Sequence, residues 1–148
     1  MCSSDLFFIG RNLDYAAAME GAHKLKEISY IHAETYAAGE LKHGTISLIE
    51  DGTLIVALAA HLDLLDKIES NIAEVKVRGA EILCVTQEQG AERMRGISDH
   101  LVTIPDVHEM LTPLLSAIPL QLFAYYVSLA RGCDVDQPRN LAKSVTVE

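Results

Sequence analysis

Residues 53–85, TLIVALAAHLDLLDKIESNIAEVKVRGAEILCV, decide the fold. Thr53 to Ala59 is a short run of β-branched and aliphatic side chains, the composition of a strand buried on both faces. Leu62 to Arg78 then changes period. Leu64, Leu65, Ile68, Ile72 and Val75 recur at three- and four-residue spacing, one apolar stripe of a helix. Gly79 supplies a stop, and Ala80 to Val85 returns to the apolar strand pattern. A strand, a helix and a second buried strand in this order require a crossover connection, so the two strands run parallel.

Working outward, the same unit recurs on both sides. Leu6 to Ile9 is an apolar run closed by Gly10, and a helix is expected from about Asn12 to His32. Ala33 to Ala37 reads as a second strand. The segment AAGELKHG that follows reads as a shaped loop or short helix, and Asp51-Gly52 marks a turn. Downstream, Gln87 to Gly96 is polar enough for a loop with a helical turn, and His100 to Ile104 is a fifth strand. His108 to Arg131 is a long apolar helix whose composition implies that it is largely covered, a core helix and not a membrane span, since Pro113, Ser116, Pro119, Gln121 and Ser128 interrupt it. Five short strands alternating with helices predict an α/β fold: a three-layer αβα sandwich on a flavodoxin-like five-stranded parallel sheet. Two parts are expected, a domain over residues 1–132 and a tail over 133–148.

The chain has 148 residues, a single-domain length. Its 12 basic and 21 acidic residues give a net charge of −9, which opposes a phosphate backbone and argues against nucleic acid as partner. Cys2, Cys84 and Cys133 form no CxxC pair, so neither a metal centre nor a cofactor is expected, and a reduced, cytoplasmic protein is. Cys84 reads as a small buried hydrophobe. MCSSDLFFIG has no basic start and too short an apolar run for a signal peptide.

The chemistry concentrates between Met19 and Gly44. Glu20, Lys24 and Glu27 fall at i, i+4 and i+7 on one helical stripe, while Ala18, Ala22, Leu25 and Ser29 make a small, apolar face opposite. Two readings of the charged stripe stand side by side: a functional face, or a solvated one in which Glu20 before Lys24 supports the helix by about 0.3 kcal/mol. His43 before Gly44 is likewise either a functional imidazole or the end of a glycine-capped helix. Gly10-Arg11-Asn12, between strand and helix, offers either amides for an anion or a plain tight turn.

Two longer motifs, EGAHKLKEISYIHAETYAAGELKHG (residues 20–44) and DVDQPRNLAKSVTVE (residues 134–148), resemble the glutamine:fructose-6-phosphate amidotransferases, in their second sugar isomerase (SIS) domain. The resemblance runs from about Phe7 to Glu148. It implies a half-enzyme that binds fructose 6-phosphate and carries the ketose/aldose isomerisation residues for glucosamine 6-phosphate formation. Within it, Glu27 resembles the base that moves a proton between the sugar's C1 and C2, and Lys24 its partner. His43 resembles the ring-opening residue, and Lys143 the amine that forms a Schiff base with the open ketose. Glu20 resembles a supporting carboxylate, and Ala142 a substrate-binding position beside Lys143. The residue types suit those roles: a carboxylate can take and return a proton, a desolvated lysine can attack a carbonyl, and imidazole titrates near neutrality.

The resemblance also implies a homodimer, a tail that folds over the sugar, and companion glutaminase and first SIS domains in a full-length enzyme. No SxSGET-like phosphate loop is present in these residues, so an isolated chain is expected to be of low activity. Thr45 stands where many relatives have Pro. Met1-Cys2 looks like the start of a glutaminase domain but leads straight into a strand, which makes it a coincidence. A non-catalytic phosphosugar-binding SIS module is the alternative, and a phosphoacceptor receiver is set aside because the third strand ends in Leu58-Ala59-Ala60-His61 with no Asp. Geometry adds one point. Glu27 lies 13 residues beyond Asp14, roughly 20 Å along the helix, so it must face another domain or subunit and not the crevice at the strand ends.

Overall fold

The computed structural model describes residues 5–139. Five parallel strands form one sheet: β1 (Leu6–Gly10), β2 (Ala33–Ala37), β3 (Leu54–Ala59), β4 (Glu81–Gln87) and β5 (His100–Ile104), in the order β2-β1-β3-β4-β5. The helices are α1 (Leu13–Ser29), α2 (Leu65–Lys76), α3 (Ala91–Arg95) and α4 (Thr112–Ala130). Alternate strand residues point to opposite faces, and each face acquires its own core. Phe7, Ile9, Ile55 and Ile82 pack with Ile68, Ile72 and Val75 of α2 and with Met94 of α3. Phe8, Val56, Leu58 and Val85 pack with Ala18, Ala22 and Leu25 of α1 and with Leu120 and Ala124 of α4. The expected three-layer arrangement is therefore the observed one.

The chain reverses direction across the sheet between β1 and β3, and that seam is tied by Asp14. Its carboxylate, 3 % exposed, accepts the backbone N–H of Ala60 at 2.9 Å and of His61 at 3.0 Å. Gly10 is needed just before it. A Cβ there would lie 2.6 Å from the carbonyl carbon and oxygen of Asp14, so only glycine lets the strand end approach the first helical turn.

One expectation changes and two are made specific. α1 stops at Ser29, not near His32, because Tyr30 takes a left-handed conformation (φ 59°) and its N–H returns to the Lys26 carbonyl. AAGELKHG is a 3₁₀ helix over Ala38–His43, followed by another over Thr45–Leu48. The polar stretch after β4 contains the short α3.

α4 departs furthest from expectation. Glu109–Ala130 has the length and hydropathy of a membrane span, but here one stripe of α4 packs against α1. The buried stripe is Thr112, Ser116, Leu120, Ala124 and Ser128, mostly small residues that admit α1 closely. At Gly21 of α1, an added Cβ would meet the Leu120 side chain at 2.8 Å. The large apolar side chains point outward: Leu114 is 68 % exposed, with Ile118, Leu122, Tyr126 and Leu129 also exposed. The helix is thus not largely covered, because composition reports how apolar a helix is and not which face meets the rest of its own chain.

Candidate functional site

The carboxyl-terminal half of α1 presents a charged cluster. Its sequence, Ala-rich with straight-chain Lys, Leu and Glu, favours helix and places His23, Lys24 and Glu27 within one turn of each other. Glu27 is gripped from both sides: Lys24 Nζ donates to Oε2 at 2.9 Å, and His23 Nε2 lies 2.8 Å from Oε1. Glu20 stands further off, 3.7 Å from Lys24 Nζ. The hydrogen bond from Lys24 is the chief reason the Glu27 carboxyl is held below the usual carboxylate range, reinforced by the charges of Lys24 and His23. The same bond raises the Lys24 ammonium. Glu27 is therefore ionised at neutral pH, the state in which a carboxylate can accept a proton.

His23 escaped the reading of the sequence, although its i, i+4 spacing to Glu27 was the available signal. Beside the cluster, between α1 and α4, runs a groove of about 420 Å³ with Lys24, Ile28, Ile118, Leu122, Tyr125 and Asp136 among its walls. Residues beyond α4 dock on the end of α1. Cys133 Sγ lies 3.8 Å from the Ser29 carbonyl, and the Arg139 N–H donates to the Tyr30 hydroxyl at 2.8 Å. The Arg139 guanidinium sits 4.8 Å from the centre of the Tyr30 ring. Lys143 and Ala142 lie outside the described residues.

His43 is elsewhere. β2 runs parallel to β1, so its carboxyl end, and the 3₁₀ helix carrying His43, return to the end of the sheet at which α1 begins. Its side chain is 75 % exposed, and its nearest acid is Glu40 at 3.8 Å. Glu27 and His43 therefore sit at opposite ends of the sheet, and a single copy of the chain does not bring them together. The Gly10-Arg11-Asn12 segment is a tight turn that uses the amides after it, the Asp14 and Tyr15 N–H groups donating to the Arg11 and Asn12 carbonyls at 3.1 Å each. Arg11 is turned aside to Asn71, donating from Nε and Nη2 at 3.1 and 2.9 Å. Cys84 is buried as expected, and burial pushes its thiol up to about 12.

The sheet is doubly wound, and a charged cluster stands at the far end of the first helix. The chain belongs to the SIS domain family, whose model matches residues 1–131. Among individual proteins, it is 61 % identical over 144 residues to the glutamine–fructose-6-phosphate aminotransferase (isomerizing) of Clostridium acetobutylicum, covering 97 % of this chain and 24 % of that protein. The corresponding protein of Caldanaerobacter subterraneus is 60 % identical over the same length, with the same coverage. Among solved structures, the C-terminal domain of the glucosamine–fructose-6-phosphate aminotransferase of Francisella tularensis matches with a TM-score of 0.86 and 42 % identity, over 90 % of this chain and 38 % of that one. The chain thus spans about a quarter of the length of the curated relatives.

Proposed function

We propose that this chain is the carboxyl-terminal isomerase half of a glutamine–fructose-6-phosphate aminotransferase, acting on fructose 6-phosphate to form glucosamine 6-phosphate. The observation that carries the reading is the clamped Glu27 carboxylate on the outer end of α1, in a chain about 60 % identical to proteins of that name. Glu27 is the proton-transferring base, Lys24 its partner, and Glu20 a weaker support. His43 opens the sugar ring, Lys143 forms the imine, and Ala142 lines the sugar beside it.

The distances fit a composite site. With His43 at the opposite end of the sheet from Glu27, one sugar meets both only if a second subunit supplies one of them, which supports a homodimer. The exposed apolar face of α4 supports the same conclusion, since an uncovered row of large side chains is a contact surface. Residues 1–132 form the domain, and residues 133–148 the segment that closes over the sugar, with Tyr30 holding Arg139 four residues before Lys143. The phosphate clamp and the ammonia come from companion domains, in a cytoplasmic enzyme.

Trapping tests the reading. The chain is incubated with fructose 6-phosphate and borohydride, and the mass is read for wild type and Lys143→Arg. A sugar-sized adduct lost in the variant supports the assignment. Sugar bound at Glu27 with no imine formed would favour a non-catalytic phosphosugar-binding module, and an adduct kept in Lys143→Arg would overturn the role of that lysine.

A further inference from the structure

A second cluster of chemistry-bearing side chains lies at the carboxyl end of the sheet, far from Glu27. The loop after β3 brings His61 and Asp63, and the segment after β5 brings Glu109, to a cleft of about 250 Å³ that also includes Gln87, Val107 and His108. One imidazole nitrogen and one oxygen from each carboxylate lie within 4.8 Å of one another. His61 Nε2 is already 3.0 Å from Glu109 Oε2.

The surroundings are short of positive charge. Among the described residues, neither lysine nor arginine lines the cleft. Beneath it, Asp14 is buried with Oδ1 unpartnered, while its other oxygen holds the backbone of His61. The His61 ring is itself only 9 % exposed, and Nδ1 has no hydrogen-bond partner among the described residues. A buried imidazole is normally fixed by a hydrogen bond on each nitrogen, and none of the described residues fixes the second one here. The other ring nitrogen faces the Glu109 carboxylate, which only accepts, so the place between them is taken either by the ring's own N–H proton or by a metal ion.

Gln87 does not fill that role, since its amide donates to the Ala60 carbonyl and accepts the Val107 N–H, and is spent on the loops. The effect is constructive. By tying the β3 loop to the β5 loop, Gln87 sets the distance between His61 and Glu109, residues that the sequence leaves 48 positions apart.

We infer that His61, Asp63 and Glu109 form a binding site for a divalent transition-metal ion at the carboxyl end of the sheet. One imidazole nitrogen with two carboxylate oxygens is a donor set suited to Zn²⁺, because nitrogen ligation selects against the oxygen-seeking Mg²⁺ and Ca²⁺. The two carboxylates are exposed and can close around the ion, while the buried His61 is the fixed ligand. Three protein ligands leave a position for water or for an oxygen of a small anionic ligand. The inference is independent of the isomerase reading.

The test is calorimetric titration of the chain with Zn²⁺ alone, with Co²⁺ absorption as a second readout. One Zn²⁺ per chain is expected, with a rise in melting temperature. Glu109→Gln and Asp63→Asn, both at exposed positions and so without risk to the fold, are each expected to weaken binding about tenfold or more, the size of effect seen even for groups that merely support a metal ligand. Co²⁺ is expected to show weak visible bands without the intense charge transfer of a thiolate. Absence of saturable binding, equal affinity in both variants, or thiolate bands pointing to a cysteine would each overturn the site.

Discussion

Asp14 and Glu27 stand near the two ends of α1, and the helix treats them oppositely. Asp14 is buried, and burial raises its carboxyl above the usual range even though two backbone N–H groups oppose the shift. Glu27 is paired with cations at the surface, and its carboxyl is lowered. The first is a structural tie across the seam of the sheet. The second is kept charged and within reach of a ligand. Position alone would have favoured the opposite assignment, because ligands of open α/β sheets usually meet the carboxyl ends of the strands. One carboxylate thus occupies the customary crevice as a strut, while the other stays ionised in a paired cluster at the far end of the helix.

The comparison can be broken at the strut. Gly10→Ala is expected to have the largest effect, since its Cβ would press on backbone at 2.6 Å and α1 would have to shift. The expected loss is about 3 kcal/mol, measured by urea unfolding. Asp14→Ala comes next, at about 2 kcal/mol, because it strands the Ala60 and His61 N–H groups without an acceptor.

Acid titration sharpens the contrast, since the two carboxylates contribute with opposite sign. Glu27, lowered in the folded state, stabilises above its unfolded value, and that contribution disappears as pH falls through the folded one. Asp14, raised in the folded state, carries a cost at neutral pH that is relieved as pH falls through its folded value. Between pH 7 and the acid range, Glu27→Gln is therefore expected to flatten the loss of stability and Asp14→Asn to steepen it. At pH 7, Glu27→Gln should change stability by less than about 1 kcal/mol. The smallest effect belongs to Tyr30→Phe, which removes the hydroxyl that accepts the Arg139 N–H. Global stability should hold within about 1 kcal/mol while amide exchange at Arg139 quickens.

β1 and β3 were readable because each is a compact apolar run, and α2 because its large apolar side chains are also its buried ones. α4 was not, because it inverts the rule: Thr112, Ser116 and Ser128 face inward and Leu114 and Ile118 outward, a pattern that composition alone assigns to the core. The end of α1 was misplaced since the left-handed cap is a tyrosine and not the glycine that usually announces one. Glu20, Lys24 and Glu27 were visible as a stripe because helical spacing is local. The nearness of His61 to Glu109 was not visible, as it depends on two loops meeting across β4.

The most direct test of the central claim, that a sugar phosphate meets the outer end of α1, is a backbone NMR titration of the isotopically labelled chain with glucosamine 6-phosphate. The account predicts shifts centred on His23, Lys24, Glu27 and Tyr30, reduced in Glu27→Gln. Shifts centred instead on Gly10, Asp14, His61 and Gln87 would contradict it and return the ligand to the crevice at the strand ends.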